Sequence, residues 1–245
     1  MRAAAAHNVH VAPRWLGAVA GVFSLVSAGL AHGDELKPFE ASYSWSWHGA
    51  TVAVSTLKLE HADDGTWVYS SSSAPRGLGH LYPMRPVLRS NLRITDQGVQ
   101  PLSFKAQGSG DSHDADVKFD WNAGRATGIY EGAAIDLPIK PGVQDDLSVQ
   151  IAMMVELLHG RTPEELSILS KNSVRDYRYR REGTETLATP LGQLDTVIYS
   201  SQHPGSPRVT RFWCAPSMGY LPMRVEQKRL DSVEWSMEIR SVKRD

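Results

Sequence analysis

The sequence is poor in cysteine: 245 residues contain one, Cys214. One thiol excludes an internal disulfide framework and any zinc site built on several cysteines. Charge of one sign is also lacking. The 26 Lys+Arg face 27 Asp+Glu, a formal charge of −1, so no basic face is expected for nucleic acid. Catalytic signatures are missing as well. There is no Gly-x-Ser-x-Gly elbow, no His-Glu-x-x-His, no phosphate loop and no Gly-x-Gly-x-x-Gly. No metal or cofactor is implied. What is present is an ordinary globular composition, 41% hydrophobic and 22% charged, which sets disorder, collagen and coiled coil aside.

Acidic residues are absent from the first 31 positions. Arg2 and Arg14 precede an unbroken run of apolar and small residues from Leu16 to Ala31. Charge, apolar run and small residues in that order read as a secretory signal peptide, with cleavage expected after Ala31 or, alternatively, Ala28. The run is shorter than the roughly 20 residues of a membrane span. The expectation is a leader over 1–31 and one periplasmic β-rich domain over 32–245, with no integral span after cleavage. A lone cysteine in such a domain is expected to be buried.

From Glu40 the pattern has a period of two. Tyr43, Trp45 and Trp47 alternate with serines, as in a half-buried strand. Further strands are predicted at 51–60, 67–73, 87–95, 99–107, 113–121, 125–130 and 134–139, separated by Gly, Asp and Asn turns. Residues 74–86, interrupted by glycine and proline, read as an irregular loop. The period changes once. Over 145–159, Leu147, Ile151, Met154, Val155 and Leu158 recur at helical spacing, with Asp145 and Asp146 placed to favour a helix N-terminus. Strands resume at 166–170, 175–181, 185–189, 193–201, 208–214, 221–230 and 233–243. The predicted fold is mainly β: a single antiparallel curled sheet or half-open barrel, covered by one amphipathic helix. A β-sandwich is the alternative.

Candidate chemistry is sparse. Asp111, His113, Asp114 and Asp116 could gather a metal, but strand alternation separates His113 from Asp114 and Asp116. Asp145 and Asp146 could form an acid–base pair; helix-start charge explains them more simply. Ser70–Ser73 have no assignable partner. Arg175, Arg178, Arg180 and Arg181 read as a solvated edge face. The 74–86 loop, with His80 and Tyr82, lies where ligand contacts occur. Arg76, Arg85, Arg89 and Arg93 add four positive charges nearby that could receive an anionic head group.

Several motifs resemble a family. Asp146-Leu147-Ser148 opens the helix, Gly192-Gln193-Leu194-Asp195-Thr196-Val197 follows, then Arg211-Phe212-Trp213 and Leu221-Pro222-Met223-Arg224-Val225-Glu226. In order and spacing they resemble the bacterial secreted proteins grouped as domain-of-unknown-function family 3108, from about Phe39 to Val242. The resemblance implies an exported, mostly β domain and carries no catalytic residues. The order of elements is also similar, as fold-level analogy, to the lipoprotein-carrier folds of the bacterial envelope.

Two functions follow as expectations. One is non-enzymatic binding of a lipid or similar amphiphile. Trp45, Trp47, Trp67, Met153, Met154 and Leu158 would line or cover the apolar part, His80 and Tyr82 would lie at the mouth, and Arg85 and Arg89 would hold the head. The other is an envelope scaffold or interaction module with a filled core, meeting a protein through an edge strand or the 74–86 loop. A hydrolase centred on His80 or His113 is a remote third.

Overall fold

The computed structural model describes residues 35–81, 85–108 and 114–244. The leader, Tyr82 and His113 lie outside the described residues. All described residues belong to one compact unit, His32–Asp245.

Fifteen strands form one curled sheet that does not close into a barrel. Eight make a first meander: β1 (Phe39–Trp47), β2 (Ala50–His61), β3 (Trp67–Pro75), β4 (Val87–Thr95), β5 (Gly98–Gln107), β6 (Ala115–Asp120), β7 (Arg125–Tyr130) and β8 (Ala133–Pro138). A two-residue strand, β9 (Gln144–Asp145), and the helix α1 (Ser148–Leu158) follow. The second meander is β10 (Glu165–Ser170), β11 (Ser173–Thr189), β12 (Gly192–Gln202), β13 (Arg208–Ala215), β14 (Leu221–Arg229) and β15 (Ser232–Lys243). The two meanders join where β15 pairs antiparallel with β1, leaving β8 and β9 as the edges.

Period two builds most strands. On β6, Ala115, Val117 and Phe119 are buried while Asp116, Lys118 and Asp120 are exposed, the alternation a half-buried pleat demands. On β1 the pattern holds through Phe39, Ala41 and Tyr43, then fails: Trp45 is half-buried and Trp47 exposed. A register shift against β2 between Trp45 and Ser46 breaks the alternation, as bulges do. Trp45 packs edge-on against Trp235 at 5.5 Å.

The structure differs from the sequence expectation in several places. The pairing of β9 with β10 is parallel, so the sheet is mixed. Residues 175–181 and 185–189 belong to one strand, β11, because a bulge between Arg181 and Gly183 shifts its register against β12 without ending it. Of its exposed arginines, Arg175 and Arg178 are flanked by β10 and do not guard an edge, whereas Arg180 and Arg181 lie beyond β10, where β11 pairs with β12 alone. Residues 77–81 form a short 3-10 turn within the predicted irregular loop.

The helix is shorter than predicted and is not simply amphipathic. Ile151, Met154 and Val155 enter the main core beside Tyr43, Tyr69 and Phe104. Met153 and Leu157 enter a second cluster with Tyr179, Tyr199 and Cys214. A helix apolar nearly all round is a buried one. Each such side chain taken from water contributes about 1.5–3 kcal/mol. Cys214 is free and buried, and burial raises its thiol pKa, so it packs as a small apolar group. Among the described residues, no helix is long and apolar enough to cross a membrane.

Candidate functional site

The residues expected to hold an amphiphile do not line one cavity. Trp67 is in the main core, its ring 3.7 Å from that of His61. Met154 joins the same core, with Leu158 packed against it, whereas Met153 faces the second cluster. Trp45 and Trp47 lie towards the end of β1. His80, Arg85 and Arg89 are exposed. On β4 the buried residues are Ser90 and Leu92, so alternation turns Arg89 to the opposite face. Its Nε donates to Asn91 Oδ1 at 3.3 Å.

The chain between the meanders builds a polar clasp instead. Gln144, Asp145 and Asp146 each reach a different strand of the first meander. Gln144 Nε2 donates to Val99 O at 2.8 Å on β5. Ser90 Oγ on β4 donates to Asp145 Oδ2 at 2.6 Å. Tyr130 OH on β7 donates to Asp146 Oδ2, which also accepts from Ser170 Oγ at 3.2 Å. Asp145 Oδ1 accepts the amides of Leu147 and Ser148 at 2.8 and 2.7 Å, and Ser148 Oγ accepts the Asp145 amide at 2.9 Å. This reciprocal arrangement satisfies donors at the helix start. Asp145 thus serves the helix from outside it. Asp146 serves the sheet, contrary to its expected place at the helix start.

Asp145 is fully buried. Burial pushes its carboxyl pKa up to about 6, against the lowering effect of its hydrogen bonds. Asp146 is exposed as a residue; desolvation and then Glu131 raise its carboxyl pKa, against the lowering hydrogen bonds from Tyr130 and Ser170. Asp145 is inaccessible to a substrate and its acceptors are engaged, which fits a structural role.

The 3-10 turn Gly77–Leu81 has the opposite character. Arg76 N donates to Val52 O at 2.8 Å, and Gly79 N donates to Arg76 O at 2.8 Å. The backbone at Gly79 lies so close to β2 that a Cβ there would stand 1.8 Å from Val52 O; only glycine fits. With its backbone pressed onto β2, the turn leaves Leu78 62% and Leu81 74% exposed. Trp47, 51% exposed, ends β1 at the same end of the sheet. Leu230 lies there too, in the β14–β15 turn, 77% exposed and held at φ 54, a conformation costly for a branched side chain. Between Asp64 and Asp96 the sequence has no acidic residue and four arginines, of which Arg76, Arg85, Arg89 and Arg93 are all exposed.

Sequence reasoning singled out the loop, Trp47 and the arginines as contacts for an amphiphile and did not single out Leu78, Leu81 or Leu230. A usable signal was available for two of them: leucines beside a Gly-x-Gly pair in a tract without acids. For Leu230 the cue was a bulky residue in a hairpin turn, where Gly or Asn is the norm.

Edge strand β8 is poorly suited to adding a strand. Ile139 N donates inward to Gly124 O, so alternation turns Asp136 and Pro138 outward. Pro138 has no N–H to offer, and Arg125 Nε holds Asp136 Oδ1 at 2.6 Å.

Comparison with known proteins agrees with this architecture. A β-barrel-like protein of domain-of-unknown-function family DUF1849 from Brucella abortus superposes with a TM-score of 0.58 at 9% identity, covering 86% of this chain and 99% of that one. The likeness is one of fold. The MucA/MucB complex of Pseudomonas aeruginosa matches at a TM-score of 0.38 and 10% identity, over 87% of this chain and 54% of that chain, too distant to bear on structure or function. No curated protein matches the sequence significantly. The family described as Protein of unknown function (DUF3108) matches residues 39–234, and the chain therefore belongs to the DUF3108 family.

Proposed function

We propose that the protein is an exported, non-enzymatic interaction module of the periplasm. Its core is filled, and the turn Gly77–Leu81 with Trp47 receives a protein segment bearing apolar and acidic side chains. The carrying observation is the pair Leu78 and Leu81, exposed on a turn whose backbone is pinned to β2. Apolar groups held outward on a fixed support mark contact surfaces. The acid-free tract around them supplies the charge complement. Export rests on the leader pattern of residues 1–31.

A filled core is supported by the continuous buried cluster from Phe39 through Phe104 and Val117 to Ile151 and Met154. That packing disfavours a lipid held inside the sheet. A hydrolase reading finds no support at His80, which is exposed on the turn. A protein suits the surface better than an anionic bilayer, because both signs of charge frame the apolar groups. Asp231 follows Leu230, and Arg208 pairs with Glu234 at 2.6 Å.

Photo-crosslinkers placed at Leu78, Leu81 and, as a distant control, Leu191 test this in the periplasm. A discrete protein adduct from 78 and 81, absent from 191 and lost on combined Arg76→Glu and Arg85→Glu substitution, is the expected result. Identical adducts from all three positions would sink the proposal. So would crosslinking to lipid alone, with sedimentation on phosphatidylglycerol vesicles.

A further inference from the structure

A separate cleft of about 350 Å³ lies between the tip of the β11–β12 hairpin and the sheet. It shares no residue with the Gly77–Leu81 turn. Pairing register builds its polar row. Ser44 on β1 stands opposite Glu238 on β15, Glu238 opposite Arg224 on β14, and Arg224 opposite Trp213 on β13. Directly paired residues share a face of the sheet.

The row is preorganised. Trp213 Nε1 donates to Glu185 Oε2 on the hairpin at 2.7 Å, which fixes the indole. The Arg224 guanidinium lies 5.6 Å from the indole centroid, within cation–π range. Its Nε is 3.3 Å from Glu238 Oε1, yet this buried N–H makes no hydrogen bond. A buried donor without an acceptor is costly. Arg240, also lining the cleft, reaches Ser44 Oγ with Nη1 at 3.4 Å. Leu187, with the exposed Ala188 and Pro190 of the hairpin, supplies the apolar side, while Met223 and Ile239 alternate into the core behind the row.

Two guanidinium groups meet two carboxylates, Glu238 and the Glu185 that holds Trp213, so the row is close to neutral; its spare donors are the unpaired Arg224 Nε and Arg240, whose partner is the Ser44 hydroxyl. That suits a monoanion rather than a dianionic phosphate. An arginine fork matches a carboxylate's two oxygens. The volume falls at the small end of ligand pockets and limits the apolar part to a short chain. We propose that this cleft binds a small amphiphilic monocarboxylic acid, its carboxylate on Arg224 and Arg240 and its chain along Leu187, Ala188 and Pro190 of the hairpin.

The test is titration of the mature protein with sodium octanoate, followed by the NMR signal of the Trp213 indole N–H. The expected result is a saturable shift, with inorganic phosphate and an octyl-trimethylammonium cation producing none. Arg224→Gln and Arg240→Gln should each weaken binding roughly tenfold, as loss of a charge-assisted hydrogen bond does. Glu238→Gln should tighten it by removing the competing carboxylate. Should Arg224→Gln fail to fold, the exposed Arg240 and Glu238 still decide the matter. No saturation with octanoate, an equal response to the cation or to phosphate, or unchanged affinity in both Arg240→Gln and Glu238→Gln would overturn the assignment.

Discussion

Two short segments of this chain invert the usual distribution of polar and apolar groups, in opposite directions. Gln144–Asp145 and the residues that follow bury a carboxylate completely; Gly77–Leu81 exposes two leucines. The difference lies in how each segment is satisfied. Asp145 receives Ser90 and two backbone amides, so its needs are met within the fold and its role is structural. Leu78 and Leu81 sit on a pinned backbone with their side chains still in water, so what they lack lies outside the chain. A buried polar group with a full set of partners speaks of architecture; an exposed apolar group on a rigid support speaks of contact.

The largest expected effect is on the buried side of this comparison. The Asp145 pKa is about 6 folded, against an ordinary 3.8. A group whose folded pKa is raised adds stability that is fully present below the unfolded value and is lost as pH rises through the folded value. The full difference corresponds to about 3 kcal/mol. The window here runs from about pH 4 to about pH 6, and denaturant unfolding across it should show stability falling as pH rises. Asp145→Asn keeps an oxygen for the two amides and offers an N–H to Ser90 Oγ. It should flatten that pH dependence and match or exceed the parent's stability at pH 8. An unchanged pH profile in Asp145→Asn would remove the carboxylate from the argument.

Next in size is Gly79→Ala, whose Cβ would meet Val52 O at 1.8 Å. The turn must leave β2, with a loss of about 2 kcal/mol in equilibrium unfolding and faster amide exchange at Arg76 and Gly79. Leu230→Gly should go the other way. Relief of the positive φ should stabilise the fold by up to about 1 kcal/mol, as a rise in melting temperature would register. The smallest effect on stability belongs to Leu78→Asp with Leu81→Asp, within about 0.5 kcal/mol of the parent, while partner crosslinking is abolished. A large destabilisation there would make the leucines part of the core instead.

Much of this architecture was legible locally. Period two marks β6 and most of both meanders, and the change of period marks α1 to within a few residues. What was hidden is long-range. The union of β1 with β15 joins residues nearly 200 apart in sequence, and no local pattern specifies such a pairing. The double burial of α1 depends on Tyr179, Tyr199 and Cys214, which arrive from later strands. The break assumed at Glu182-Gly183 is a bulge within β11, because β12 continues to pair across it. At the candidate surface, composition singled out the loop and its arginines. It could not show that close approach at Gly79 turns Leu78 and Leu81 outward, since that contact is with Val52, far along the chain.

The most direct test of the account is native-state amide hydrogen exchange at four positions of the mature protein: Arg76 and Gly79 in the turn, Leu147 and Ser148 in the clasp. Slow exchange at all four is predicted, with the Gly79 amide protected although its neighbours Leu78 and His80 are exposed. Fast exchange at Arg76 and Gly79 beside slow exchange at Leu147 and Ser148 would contradict it, because leucines on an unpinned turn present no fixed surface to a partner.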